Sequence, residues 1–186
     1  MMQVVNPAMA QAIRALVPVI ETERLRLRAP MLADFAAYEA VFTSDRAAYM
    51  GGPFTTEEAF GDFTQAVAGW MLQGMGAWTI TAKGSDDALG WVYLWQEFGD
   101  PEPELGWVLV QEAEGRGYAS EAARAVLPLA MDLLGPGRVV SYIDAGNAAS
   151  ARIAIKLGAR RDPKAEAALG EPDLHVYRHF AGKEPS

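Results

Sequence analysis

Two glycines one residue apart, Gly115 and Gly117, stand where an apolar run of strand length gives way to a run of helical spacing. The run before them, residues 104–110, follows Pro101 and Pro103 and reads as a strand. The run after them, residues 120–134, places Ala123, Val126, Leu127, Ala130 and Leu134 on one helical face. Glycines so placed let the backbone turn sharply and expose consecutive N–H groups ahead of a helix N-terminus. Such a turn is a cradle for an anion such as a pyrophosphate. The segment Glu114-Gly115-Arg116-Gly117-Tyr118-Ala119-Ser120-Glu121-Ala122 lacks the third glycine of the dinucleotide fingerprint and the Gly-Lys-Ser/Thr ending of a P-loop. Taken alone, the two glycines also read as a turn without a ligand.

The same turn constrains topology. Gly135-Pro136-Gly137 leads from the helix into a further strand over 138–144, so residues 105–143 form a strand–helix–strand unit. Such a crossover is right-handed and joins parallel strands. Pro128 falls inside the helix, removes one backbone hydrogen bond and predicts a kink. Upstream, runs at 77–82 and 89–95 flank the turn Gly84-Ser85-Asp86-Asp87 and, with 104–110, suit an antiparallel meander. The sheet is therefore expected to be mixed.

Before the meander, Arg24-Leu25-Arg26-Leu27-Arg28 alternates as a half-buried strand, and Phe35, Tyr38 and Phe42 recur at helical spacing. Thr55 and Glu58 form a capping box ahead of Phe60, Phe63, Val67, Trp70 and Met71, which predicts a second helix. Residues 147–157 read as a short helix closed by Gly158, and 174–180 as a last strand. Residues 1–20 read as an appendage with a short helix over 8–17. A homodimer arm and a cap over the core are both open for it. The division expected is an arm over 1–20 and a single domain over 21–186.

Half of the 186 residues are hydrophobic (51%), enough to bury a sizeable core. The net charge of −8 repels phosphate, so nucleic acid is not expected as a partner; a cationic substrate such as an amine is compatible with it. The chain has no cysteine, which excludes disulfides, thiolate metal sites and a cysteine nucleophile. His175 and His179 share a face of the last strand without a nearby carboxylate, and no metal is expected. Met1–Ile20 is interrupted by Pro7, Arg14 and Pro18 and has no apolar stretch of signal or spanning length. No membrane association and a cytoplasmic location are the expectations.

Strand, Gly-Arg-Gly-Tyr-Ala, Glu-Ala, helix, strand, Asn-x-x-Ser, helix and Leu-Gly-Ala, in that order, resemble the GNAT superfamily of acyl-CoA-dependent N-acyltransferases. Glu21-Thr22-Glu23-Arg24-Leu25-Arg26-Leu27-Arg28 and Glu104-Leu105-Gly106-Trp107-Val108-Leu109 resemble its ribosomal-protein alanine acetyltransferase branch, and the likeness runs from about Glu21 to Phe180. The fold this implies is an α/β domain with a mixed, mostly antiparallel central sheet, a splayed parallel strand pair at the cofactor site and helices on both faces. The activity implied is transfer of an acetyl group from acetyl-CoA to a primary amine, either a protein N-terminus or a small molecule.

By that resemblance, the backbone of Gly115, Arg116, Gly117, Tyr118, Ala119 and Ser120 would hold the pyrophosphate of coenzyme A. Val108, Leu109 and Val110 would supply backbone groups to pantetheine, and Asn147 would face the same arm while capping its helix. The family pattern Gln/Arg-x-x-Gly-x-Gly/Ala is met by Gly117 and Ala119, but Glu114 stands in its first place. That puts a carboxylate near the phosphates, which costs affinity unless it points to solvent or pairs with Arg116.

Acylation needs a deprotonated amine and a proton for the departing thiolate. Glu104, at the start of the strand leading to the turn, is the candidate base. A plain strand-end glutamate is the competing reading. The tyrosine acid of many superfamily members is absent, since no tyrosine lies between Tyr142 and Tyr177. Ser150 is the candidate donor to the sulfur, and it also reads as a capping-turn serine. Two other classes stay open: a non-catalytic acyl-CoA sensor, and a partner-binding module on the same fold.

Overall fold

A computed structural model describes residues 2–180. An N-terminal helix α1 (Pro7–Arg14) precedes the strands β1 (Ile20–Glu21) and β2 (Leu25–Arg28), and the helices α2 (Phe35–Phe42) and α3 (Thr56–Leu72) follow. The meander is β3 (Ala77–Ala82), β4 (Ala88–Trp95) and β5 (Glu104–Leu109). Then come α4 (Tyr118–Leu134), β6 (Val139–Asp144), α5 (Ala148–Lys156), β7 (Arg160–Arg161), α6 (Pro163–Leu169) and β8 (Leu174–His179). One sheet holds all eight strands in the order β1-β2-β3-β4-β5-β6-β8-β7. Every neighbouring pair is antiparallel except β5 and β6. The mixed α/β sheet read from the sequence is the sheet observed.

Strand alternation sends side chains to two cores. Trp78, Ile80, Val92, Leu94, Leu105 and Leu109 pack on one face against Ala119, Ala122, Ala123, Val126 and Ala130 of α4. That helix continues through Pro128. Trp91, Tyr93, Trp95 and Val108 point to the other face, against Tyr38, Val41 and Phe42 of α2 and Phe63 and Ala66 of α3. The capping box of α3 is present, with Thr55 and Glu58 bonded reciprocally. Beyond β5, Ala154 of α5 packs on Ile143 and Tyr177.

β1, β7 and α6 have no counterpart in the sequence reading. The two strands are two residues long and are held by a neighbour's edge rather than by their own pattern. No helix of the described residues is long and apolar enough to cross a membrane.

Candidate functional site

β5 and β6 begin as a parallel ladder and then part. Val140 N–H donates to Pro103 C=O at 3.0 Å, and Glu104↔Val140 is their only registered pair. The next rung would take Tyr142 N–H to Leu105 C=O. Instead Tyr142 N–H donates to Glu104 Oε1 at 3.3 Å, and the Ser141 hydroxyl donates to Leu105 C=O. Ser141 Oγ lies 2.9 Å from Nε2 of His179, which is fully buried on β8. Having given its one proton to Leu105, the hydroxyl accepts from His179, which fixes the Nε2–H tautomer. Burial pushes the His179 pKa down to about 4, so the ring is neutral, and its Nδ1 has no partner. Two side-chain bonds thus replace a ladder rung and hold the strands apart at a defined place.

Which backbone groups face the gap follows from parity. Val110 N–H donates to Leu89 C=O at 3.0 Å, beside β4. By alternation, the N–H and C=O of Val108 also face β4, and those of Leu105, Trp107 and Leu109 face the gap. This corrects the expectation for Val108, whose backbone groups face β4, and for Val110, whose N–H goes to Leu89 and whose C=O accepts from Ala113 N–H at 3.0 Å. Of the three, only Leu109 turns its groups outward, and its C=O accepts from the Arg46 guanidinium at 3.0 Å.

The gap opens into two cavities. One, of about 580 Å³, is lined by Val108, Leu109, Glu114, Gly115, Gly117, Tyr118, Ala119, Ser120, Arg152 and Ile153. Its floor is the glycine turn, where Gly115 and Gly117 take φ +72° and +79°, the left-handed region that a Cβ disfavours. Gly117 caps α4 and supplies no side-chain acceptor, so no capping group covers the first N–H groups of the helix. Arg24 braces the turn: its guanidinium donates to Arg116 C=O at 3.0 Å and to Glu121 at 2.7 Å, and lies 4.8 Å from the Tyr118 ring centre. Against burial, hydrogen bonds from Thr22 and Arg24 hold the Glu121 carboxyl below its usual range. Glu114 stays exposed to solvent and pairs with Arg46 rather than with Arg116, so its charge meets a cation from the opposite rim. Arg116 and Val110 are not among the lining residues.

The other cavity, of about 540 Å³, lies across the gap. Its walls include Tyr38, Phe42, Phe54, Tyr93, Trp95 and Tyr142. Tyr93 donates to Tyr38 at 3.3 Å, and Tyr38 donates to Asp62. Burial pushes both tyrosines' pKa values up and raises that of Asp62 too. Glu104 stands at the mouth of the gap in this cavity. Burial, then the charge of Asp100, pushes its pKa up to about 8, although Tyr142 N–H opposes the shift. Tyr49, Met50, Trp107, Asn147 and Ser150 line both cavities, so the two meet at their side chains. Asn147 caps α5 by accepting Ser150 N–H at 3.1 Å, which sets both residues on its first turn.

The structure therefore gathers Gly115, Gly117, Tyr118, Ala119, Ser120, Val108, Leu109, Asn147 and Ser150 around one cavity, with Glu104 across the junction. Arg46, Tyr49 and Asp62 escaped sequence reasoning. Arg46 reaches a partner 68 positions away, a relation no local pattern encodes.

Comparison with known proteins agrees with this geometry. A family model described as acetyltransferase (GNAT) domain matches residues 24–160. The chain is 28% identical over 144 residues to an uncharacterized N-acetyltransferase, YnaD, of Bacillus subtilis (strain 168), covering 77% of this chain and 83% of that one. It superimposes on the acetyltransferase of Agrobacterium tumefaciens str. C58 with a TM-score of 0.81 at 36% identity, over 88% of this chain and 95% of the other. It also shares its fold with RimL, a ribosomal L7/L12 alpha-N-protein acetyltransferase solved with coenzyme A. There the TM-score is 0.66 at 16% identity, over 88% and 98% of the two chains. A parallel pair that parts beside a glycine turn, inside a match spanning most of the sequence, places this chain in the GNAT acetyltransferase family.

Proposed function

We propose that the protein transfers an acetyl group from acetyl-CoA to a primary amine by direct attack in a ternary complex. The observation that carries this reading is the meeting of two cavities at the parted strands, one floored by a glycine turn and the other carrying Glu104. The backbone N–H groups of the turn and of the first turn of α4 suit a pyrophosphate. The outward N–H and C=O of Trp107 suit the amide groups of a pantetheine arm, which would complete the ladder that β6 abandons.

The thioester then falls where Asn147 and Ser150 border both cavities. Glu104, ionised at pH values above about 8, accepts a proton from the incoming ammonium directly or through water. The freed nitrogen lone pair forms the C–N bond, the C–S bond breaks with its electron pair leaving on sulfur, and the second proton shed by the nitrogen passes to that thiolate, giving amide and free thiol. Ser150 hydrogen-bonds that sulfur as charge develops on it. No cysteine is available for an acyl-enzyme, which is why the transfer is written as direct.

The test is thiol release from acetyl-CoA across a panel of primary amines. Amine-dependent release that Glu104→Gln lowers by about 10²-fold or more supports the reading. Acetyl-CoA binding without turnover, unaffected by the variant, points instead to an acyl-CoA sensor.

A further inference from the structure

The lining of the acceptor cavity is one-sided in charge. Six carboxylates border it, those of Asp62, Glu97, Asp100, Glu104, Asp144 and Glu171, and it has no lysine, arginine or histidine. Among the described residues, none of the six takes part in an ion pair. Nearby carboxylates that face elsewhere do: Glu102 and Asp162 share Arg178, and Glu166 holds Arg161. The six are graded in depth. Glu97 and Glu171 are exposed at the rim, and Asp62, Asp100, Glu104 and Asp144 are half-buried further in. They also feel one another: burial first, and then neighbouring carboxylate charge, raises Asp62, Asp100 and Glu104 alike. Unpaired like charges around a partly desolvated space repel, and that repulsion is relieved by a bound cation.

A metal ion does not suit the arrangement. No three His, Asp or Glu side chains of the described residues converge as a chelating group. The carboxylates are instead spread around aromatic walls, a setting for an organic cation that meets charge and ring faces together.

We propose, resting on the acetyltransferase reading above, that the acceptor is a small di- or polyamine: a primary amine with at least one further cationic nitrogen and no carboxylate. One nitrogen reaches Glu104 at the junction, and the distal ammonium sits among Asp62, Asp100 and the rim carboxylates. The reaction balances as acetyl-CoA plus the diammonium form giving free coenzyme A, the mono-acetylated monocation and one released proton. Acetylation removes one positive charge from the ligand, so the cavity holds the product less tightly than the substrate. An amino acid would bring its carboxylate into a cavity with no cation to meet it.

The test compares three acceptors built on one four-carbon chain: butylamine, putrescine and γ-aminobutyrate, at low ionic strength with thiol release as the readout. The expected order of kcat/KM is putrescine, butylamine, γ-aminobutyrate, with the first about tenfold or more above the last. The double variant Glu97→Gln, Asp100→Asn is expected to narrow that ratio through KM for putrescine, and added salt should narrow it too. Equal rates for putrescine and γ-aminobutyrate, or a ratio indifferent to the double variant, overturns the inference.

If no amine is turned over, the acetyltransferase reading fails and the charge selectivity is still measurable. Calorimetric titration of putrescine and of γ-aminobutyrate into the coenzyme A-saturated protein then decides it. Tighter binding of putrescine supports the cationic cavity, and equal or absent binding of both rejects it.

Discussion

Glu104 Oε1 accepts the N–H of Tyr142 at 3.3 Å, the donor that would reach Leu105 C=O if the parallel ladder continued. One carboxylate thus satisfies an edge left bare by the parting strands and stands at the mouth of the acceptor cavity. Glu104→Gln keeps an acceptor for Tyr142 and loses the base. The expected result is a folded protein whose kcat falls by roughly 10²–10⁴. The wild-type kcat should rise with pH through about 8, and that limb should vanish in the variant.

Stability should carry the signature of the same carboxyl. The folded state holds the Glu104 proton up to about pH 8, and the unfolded chain releases it near the ordinary value of 4.5. Stability from this group is complete below pH 4.5 and is lost as pH rises toward 8. Glu104→Gln should therefore gain on the wild type across that window, read as a growing difference in urea midpoint.

His179 acts in the opposite sense. Its folded pKa of about 4 lies below the ordinary 6.5, so its contribution is present above pH 6.5 and is lost on acidification toward 4. His179→Gln should flatten that acid-side decline, whose slope is at most about 1.4 kcal/mol per pH unit. Urea unfolding between pH 4 and 7 measures it.

Ser141 is the bridge between these two strands. Ser141→Ala leaves Leu105 C=O and His179 Nε2–H without their buried partner. A loss of about 1–3 kcal/mol in unfolding free energy is expected. A loss below about half a kcal/mol would mean that the bridge does not hold the gap.

Gly90 tests the other edge of β5. Its φ is +152°, and a Cβ there would lie 2.2 Å from Val108 C=O, beside the register shift between β3 and β4. Gly90→Ala should destabilise by about 2–4 kcal/mol, visible as a lowered thermal midpoint.

The sequence made the glycine turn, the helix behind it and the Asn147 cap readable because each rests on signals a few residues apart. The left-handed φ of Gly115 and Gly117 is what two glycines at that spacing permit. Strand parity was not readable in this way. Val108 and Val110 are as apolar as Leu109, and only the bond from Val110 to Leu89 tells which groups turn away from the gap. The partner of Glu114 was missed because Arg46 approaches from a different part of the chain. The acidic acceptor cavity draws on α3, the loop after β4, the strands β5 and β6, and the turn before β8. Its charge emerges only when those pieces meet.

The central claim is that the glycine turn and the parted strands hold acetyl-CoA, and calorimetric titration of acetyl-CoA into the wild type and into Gly117→Asp tests it most directly. At Gly117 an aspartate brings a carboxylate to the cradle and a Cβ to a left-handed backbone position. The account predicts saturable binding to the wild type and no measurable binding to a variant that still unfolds cooperatively. Equal affinity in the two proteins, or no binding to the wild type at millimolar ligand, would contradict it.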